Sequence, residues 1–161
     1  MTVQDLAANY LSTGHIDGLP DGHFIGGRFT SASDRKMESF DPARAEAFAE
    51  FSLGTEADMN TAIEAAEKAA KDWARALPSE RCRILNNVAR VFRENADRLA
   101  VLEVLDSGKT LAEAQGDVQS SARLFEYYAG AADKLDGRSV NLGPDLTAFT
   151  VREPVGVTGH I

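Results

Sequence analysis

From Thr55 onward, apolar residues return every three or four positions. Met59, Ile63, Ala66, Ala70 and Trp73 fall on one stripe, which predicts an amphipathic helix running through about residue 74. Thr55-Glu-Ala-Asp58 supplies its N-cap, with an acid three residues on. Pro78 suits the first turn of a second helix, Glu80 complements its dipole, and Ile84, Leu85, Val88, Val91 and Phe92 define its buried face. A third helix is expected from about Ala96 through Leu99, Leu102 and Leu105, with Gly108 as its C′ residue. Thr110-Leu-Ala-Glu113 is a full capping box. It opens a fourth, long helix along Val118, Ala122, Phe125, Ala129 and Ala132, which Gly137 closes.

On either side of the helices the period shortens. Residues 1–22 begin as a weakly helical stretch and end in a Gly/Pro/Asp-rich loop. His23-Phe-Ile25 and Arg28-Phe-Thr30 flank Gly26-Gly27, a hairpin with a glycine turn. Met37–Phe40 and Phe48–Ser52 are extended, separated by the turn that Asp41-Pro42 imposes. Ser139–Leu142 and Ala148–Val151 alternate around Gly143-Pro144-Asp145, a two-stranded arm that should lean on something, another subunit included. Val155, Val157 and Ile161 then mark the launch of a buried strand. A parallel strand needs a crossover and neighbours, so the chain reads as the opening of a larger α/β protein.

Composition narrows the function classes. The chain has 161 residues, 43% hydrophobic and 26% charged, enough for one ordinary domain. A net charge of −8 repels phosphate backbones and anionic lipid, so neither nucleic acid nor a membrane surface is an expected partner. No Lys or Arg precedes Arg28, no apolar run reaches spanning length, and the single cysteine allows no internal disulfide. The expected compartment is the cytoplasm.

Three groups invite chemistry and receive plain readings. Cys82, between Arg81 and Arg83, sits one position off the apolar stripe of its helix and is expected to be structural. His15, Asp17, Asp21 and His23 match no compact metal pattern and read as a polar loop. Gly156-x-x-Gly159 is too short for a phosphate loop and has no following helix, so it reads as a turn.

Six pieces in order resemble the aldehyde dehydrogenase superfamily, betaine-aldehyde-type members in particular. They are Phe24-Ile-Gly-Gly27, Asp41-Pro-Ala43, Pro78-Ser-Glu-Arg81, Leu105-Asp-Ser-Gly-Lys109, Glu126-Tyr-Tyr-Ala-Gly130 and Arg152-Glu-Pro-Val-Gly-Val157. The resemblance covers about residues 23–161 and implies the incomplete N-terminal part of a Rossmann-like α/β coenzyme-binding domain. On that template, residues 1–137 are its helical part with small β segments and four helices. Residues 138–154 are an oligomerisation hairpin, and 155–161 begin the first strand of the parallel sheet.

The implied activity is oxidation of an aldehyde to a carboxylic acid with NAD or NADP, through a cysteine thiohemiacetal, hydride transfer and thioester hydrolysis. The family's coenzyme segment, general base and nucleophile lie beyond Ile161, so no catalytic or coenzyme residue carries over. The implied metal site is a monovalent cation held by Asp106 with backbone oxygens of Ser39 and Phe40; the alternative is that Asp106 contacts the cap at Thr110. Asp41 stands where the family has Asn, and Arg44-Ala45 where it has Thr-Gly. The alternative to a homo-oligomeric dehydrogenase part is a non-catalytic helical interaction module. Without the large sheet, both the Ile63/Trp73 and the Val118/Phe125 stripes should be exposed.

Overall fold

The computed structural model describes residues 2–31 and 33–160. It contains five α-helices and three separate antiparallel β-hairpins, a mixed α/β arrangement. Helix α1 spans Val3–Thr13, where the sequence suggested only a weak tendency. Two local signals make it a full helix. Thr2 and Asp5 form a reciprocal capping box, and Gly14 ends the helix at φ 78° with its N–H on the Tyr10 carbonyl. Its inner face buries Leu6 and Tyr10.

Strands β1 (Phe24–Ile25) and β2 (Arg28–Phe29) join through Gly26 and Gly27. Both glycines take positive φ, as the tightest hairpin turns require. β3 (Lys36–Asp41) pairs with β4 (Glu46–Ser52), and the register slips between Ser39 and Phe40. Ser39 faces Ala49 and Phe40 faces Ala47, so Phe48 is the extra residue of a bulge, and it is buried.

Helices α2 (Glu56–Arg75), α3 (Pro78–Glu94), α4 (Ala96–Ser107) and α5 (Leu111–Ala131) follow. α3 and α5 pack closely because their facing positions are small: Ala89, Ala122 and Ala129 are almost fully buried. Phe92 and Phe125 lie 5.5 Å apart over that seam, and Arg93 closes its rim on Glu126 at 2.8 Å. Two clusters make the core. Leu6, Tyr10, Ile16, Phe48, Val101 and Leu105 join α1, β4 and α4; Ala100, Ala114 and Val118 join α4 and α5.

Several expectations need correction. The Val118/Phe125 stripe is covered, by α3 and α4, because neighbouring helices reach it without any sheet. The Ile63/Trp73 stripe is exposed as expected, and α2 buries no residue at all. α5 ends at Ala131 rather than near Gly137. Gly137 belongs to the lead into the arm, where a Cβ would fall 1.8 Å from the Thr150 carbonyl oxygen.

The arm itself is as expected, β5 (Ser139–Gly143) against β6 (Leu146–Phe149). The strand expected from Val155 does not form among the described residues up to His160. Val155 is 94% exposed, and among the described residues no parallel strand pairs with it. Ile161 lies outside the described residues.

Candidate functional site

The end of α4 and the β3–β4 hairpin bring together two of the three residues singled out for a cation. The Ser39 hydroxyl donates to Asp106 Oδ1 at 2.6 Å, across 67 residues of chain. Asp106 occupies the last turn of α4, an exposed position; Ser39 is half-buried. Phe40 follows the bulge beside Ser39, with an exposed ring. Among the described residues no hydrogen bond joins Asp106 to the Thr110 cap. Thr110 exchanges its bonds with Glu113 instead, which holds the Glu113 carboxyl below its usual range.

Electrostatics leave the Asp106 carboxylate available. Lys109, three residues on, turns to Glu103 at 2.6 Å and Asp117 at 2.8 Å, and these two acids push its ammonium pKa upward. Among the described residues no ion pair involves Asp106. The oxygen set is therefore one carboxylate, one hydroxyl and the strand backbone, hard donors without a competing side-chain cation.

The adjoining turn is held from several sides. Asp41 is buried; its Oδ2 accepts from the Tyr10 hydroxyl and its Oδ1 from the Ala43 N–H, both at 2.8 Å. Its carbonyl accepts from the N–H of Ala45 at 2.8 Å. Ala45 takes φ 56°, left-handed backbone at the place where the resemblance has glycine. Burial, then the bond to Asp41, pushes the Tyr10 hydroxyl up to about 12. Tyr10 escaped the sequence reading, since a tyrosine on a short helix carries no signal about a partner 31 residues away.

The other candidates stay plain. Cys82 is half-buried, its carbonyl accepting from Asn86 Nδ2 at 3.0 Å and its sulfur 3.4 Å from the same nitrogen. The polar loop disperses. His15 pairs with Asp17, Asp21 pairs with Lys36 and accepts from Ser52, and His23 lies 4.0 Å from Asp58. Lys36 and Ser52 together hold the Asp21 carboxyl low. Among the described residues no three His, Cys, Asp or Glu side chains cluster as metal ligands. Gly156 and Gly159 lie in exposed irregular chain. No described helix is long and apolar enough to cross a membrane.

Comparison with known proteins gives a consistent result. The model of the aldehyde dehydrogenase family matches residues 29–161. Aldehyde dehydrogenase 1 of Tanacetum cinerariifolium is 41% identical over 142 residues, 86% of this chain and 28% of that protein. An aldehyde dehydrogenase of Aspergillus niger is 36% identical over 88% of this chain and 29% of its own length. The chain thus spans less than a third of the curated relatives it matches.

Among solved structures, a P. syringae indole-3-acetaldehyde dehydrogenase in complex with NAD+ superposes with TM-score 0.84 at 28% identity. It is matched by 97% of this chain, over 32% of that chain. A Staphylococcus aureus betaine aldehyde dehydrogenase in complex with NAD+ gives TM-score 0.79 at 30% identity, with 96% and 30% covered.

Proposed function

The chain belongs to the aldehyde dehydrogenase family, and from that premise we propose that it is the N-terminal part of a subunit oxidising an aldehyde to a carboxylate with NAD or NADP. The observation that carries this reading is the family match over 29–161 together with likeness to NAD+-bound dehydrogenases along nearly the whole chain. In the balanced reaction, aldehyde, water and NAD(P)+ give carboxylate, NAD(P)H and two protons.

No residue of this chain is assigned to hydride transfer, to the nucleophile or to the coenzyme. No catalytic step is routed through the described residues. Their roles are architectural. α3, α4 and α5 form a packed helical layer, and α2 presents an apolar face for the rest of the coenzyme-binding domain. The domain scheme of 1–137, 138–154 and 155–161 belongs to this proposal. So does a homo-oligomer formed through the 138–154 arm, whose Val140, Leu142, Leu146 and Phe149 are all exposed. The cytoplasm is the proposed compartment.

A monovalent cation at Asp106, Ser39 and Phe40 is also part of this reading. What supports it is the donor chemistry: an exposed carboxylate free of basic partners beside a bulged strand whose backbone oxygens are hard donors. When bound, such an ion would join the end of α4 to β3 electrostatically.

The test is an assay of the complete protein that carries these residues. It is incubated with NAD+ or NADP+ and a panel including betaine aldehyde, indole-3-acetaldehyde and benzaldehyde, with reduced coenzyme and carboxylate both quantified. Stoichiometric formation of the two is expected. If the native polypeptide has an intact mass of 17.3 kDa and forms neither product, the non-catalytic interaction module replaces this reading.

A further inference from the structure

Three contacts converge on the few residues that join β3 to α4. The first is the buried bond from the Tyr10 hydroxyl to Asp41 Oδ2, 2.8 Å long. Asp41 is 4% exposed and Tyr10 5%. The second contact is steric: Pro42 sits so close over Gly108 that a Cβ there would meet Pro42 Cγ at 2.9 Å. Gly108 itself takes φ 74°, so the close approach and the left-handed backbone both need glycine. The third is the Ser39–Asp106 bond, which lies two residues before Asp41 on one segment and two before Gly108 on the other.

The ring of Tyr10 reinforces the same place from below. It shares a core cluster with Leu105, the residue before Asp106, and with Phe48, the residue that makes the bulge opposite Ser39 and Phe40. Removing the hydroxyl would leave Asp41 Oδ2 buried without its donor. The turn that sets the position of Ser39 would then lose its anchor to α1, while the other end of the Ser39–Asp106 bond stays fixed on α4.

We infer that Tyr10 is a positioning residue for the Ser39–Asp106 oxygen pair: α1 clasps the β3–β4 turn through Asp41, and so sets the spacing of the two oxygens. The functional weight of this clasp rests on the cation reading above, but its geometry does not. A partner segment more than 25 residues upstream of the pair then controls the pair's availability for a cation.

Hydrogen exchange on the full chain, read by mass spectrometry, tests it. Tyr10→Phe keeps the buried ring, so core volume is preserved. The expected result is exchange about 5–30-fold faster in peptides covering 36–41 and 101–107, with α3 and α5 peptides unchanged. Adding Ser39→Ala should accelerate exchange at least ~3-fold less than the product of the two single effects, because both changes release the same contact. A product of independent effects, or acceleration spread evenly over the chain, overturns the clasp.

The same peptides are measured in potassium chloride and in choline chloride at equal ionic strength. If potassium protects 36–41 and Asp106→Ala abolishes that protection, the cation reading stands, and Tyr10→Phe must then raise the potassium midpoint. An unchanged midpoint overturns the clasp as a control on the site. If potassium protects nothing in the unsubstituted chain, the cation reading fails by itself, and the double-variant comparison still decides the clasp.

Discussion

Asp41 shows how one side chain can tie distant parts of a fold. Its two carboxyl oxygens accept from α1 and from its own turn, and Pro42 beside it fixes the approach of α4. The Tyr10 hydroxyl also makes the assembly sensitive to alkali. Its pKa rises from the ordinary 10.0 to about 12 on folding, through burial first and the bond to Asp41 second. Below pH 10 both states keep the proton and the contribution to stability is complete. Between 10 and 12 the unfolded chain ionises while the folded one does not, so stability falls as pH rises. Denaturant melts at pH 8, 10 and 12 should show this extra loss, and Tyr10→Phe should lose less across that window. Parallel loss in both proteins would contradict the assignment.

At the scale of elements, local signals that the backbone itself must satisfy were the readable ones. The capping boxes at Thr55 and Thr110 sit where the sequence put them, as do the glycine turn of β1–β2 and the Gly108 stop of α4. Thr2-Asp5 is the same device, yet the sequence there suggests only a weak helical tendency because the apolar stripe behind it is short. The end of α5, which lacks such a device, falls elsewhere than the sequence suggests. α5 stops at Ala131, six residues before the glycine expected to close it, and Gly137 instead lies in the lead into the arm, close against the Thr150 carbonyl. The cap at Thr110 is measurable: Thr110→Ala should destabilise the α4–α5 unit by about 0.5–2 kcal/mol. Urea unfolding followed by circular dichroism would show the shift, and an unchanged midpoint would mean that the α3–α5 seam alone holds the helix start.

The whole molecule is a helical layer and a small N-terminal core with much apolar surface left open. Met59, Ile63 and Trp73 on α2, Leu124, Tyr127 and Tyr128 on α5, and the side chains of the arm are all exposed. Large apolar side chains left exposed on several elements suit faces that other protein covers. The 161-residue chain by itself is therefore expected to self-associate with rising concentration and to bind hydrophobic dyes. Sedimentation velocity across a concentration series checks this; a single monomeric species with a sharp thermal transition would contradict it.

The sequence by itself determined helices α2 to α5, the caps at Thr55 and Thr110, the β1–β2 hairpin, the 139–149 arm and the family, because hydrophobic period, capping and turn chemistry act within a few residues and ordered motifs survive without contacts. It also named Asp106, Ser39 and Phe40 as a group, through family resemblance. Only the tertiary structure decided that Ser39 and Asp106 meet at 2.6 Å, that Asp41 is buried under Tyr10, and that Val118 is covered while Ile63 is not. Those outcomes depend on which faces come together across 30 to 70 residues of chain, and a hydrophobic period marks a face as apolar without naming the element that covers it.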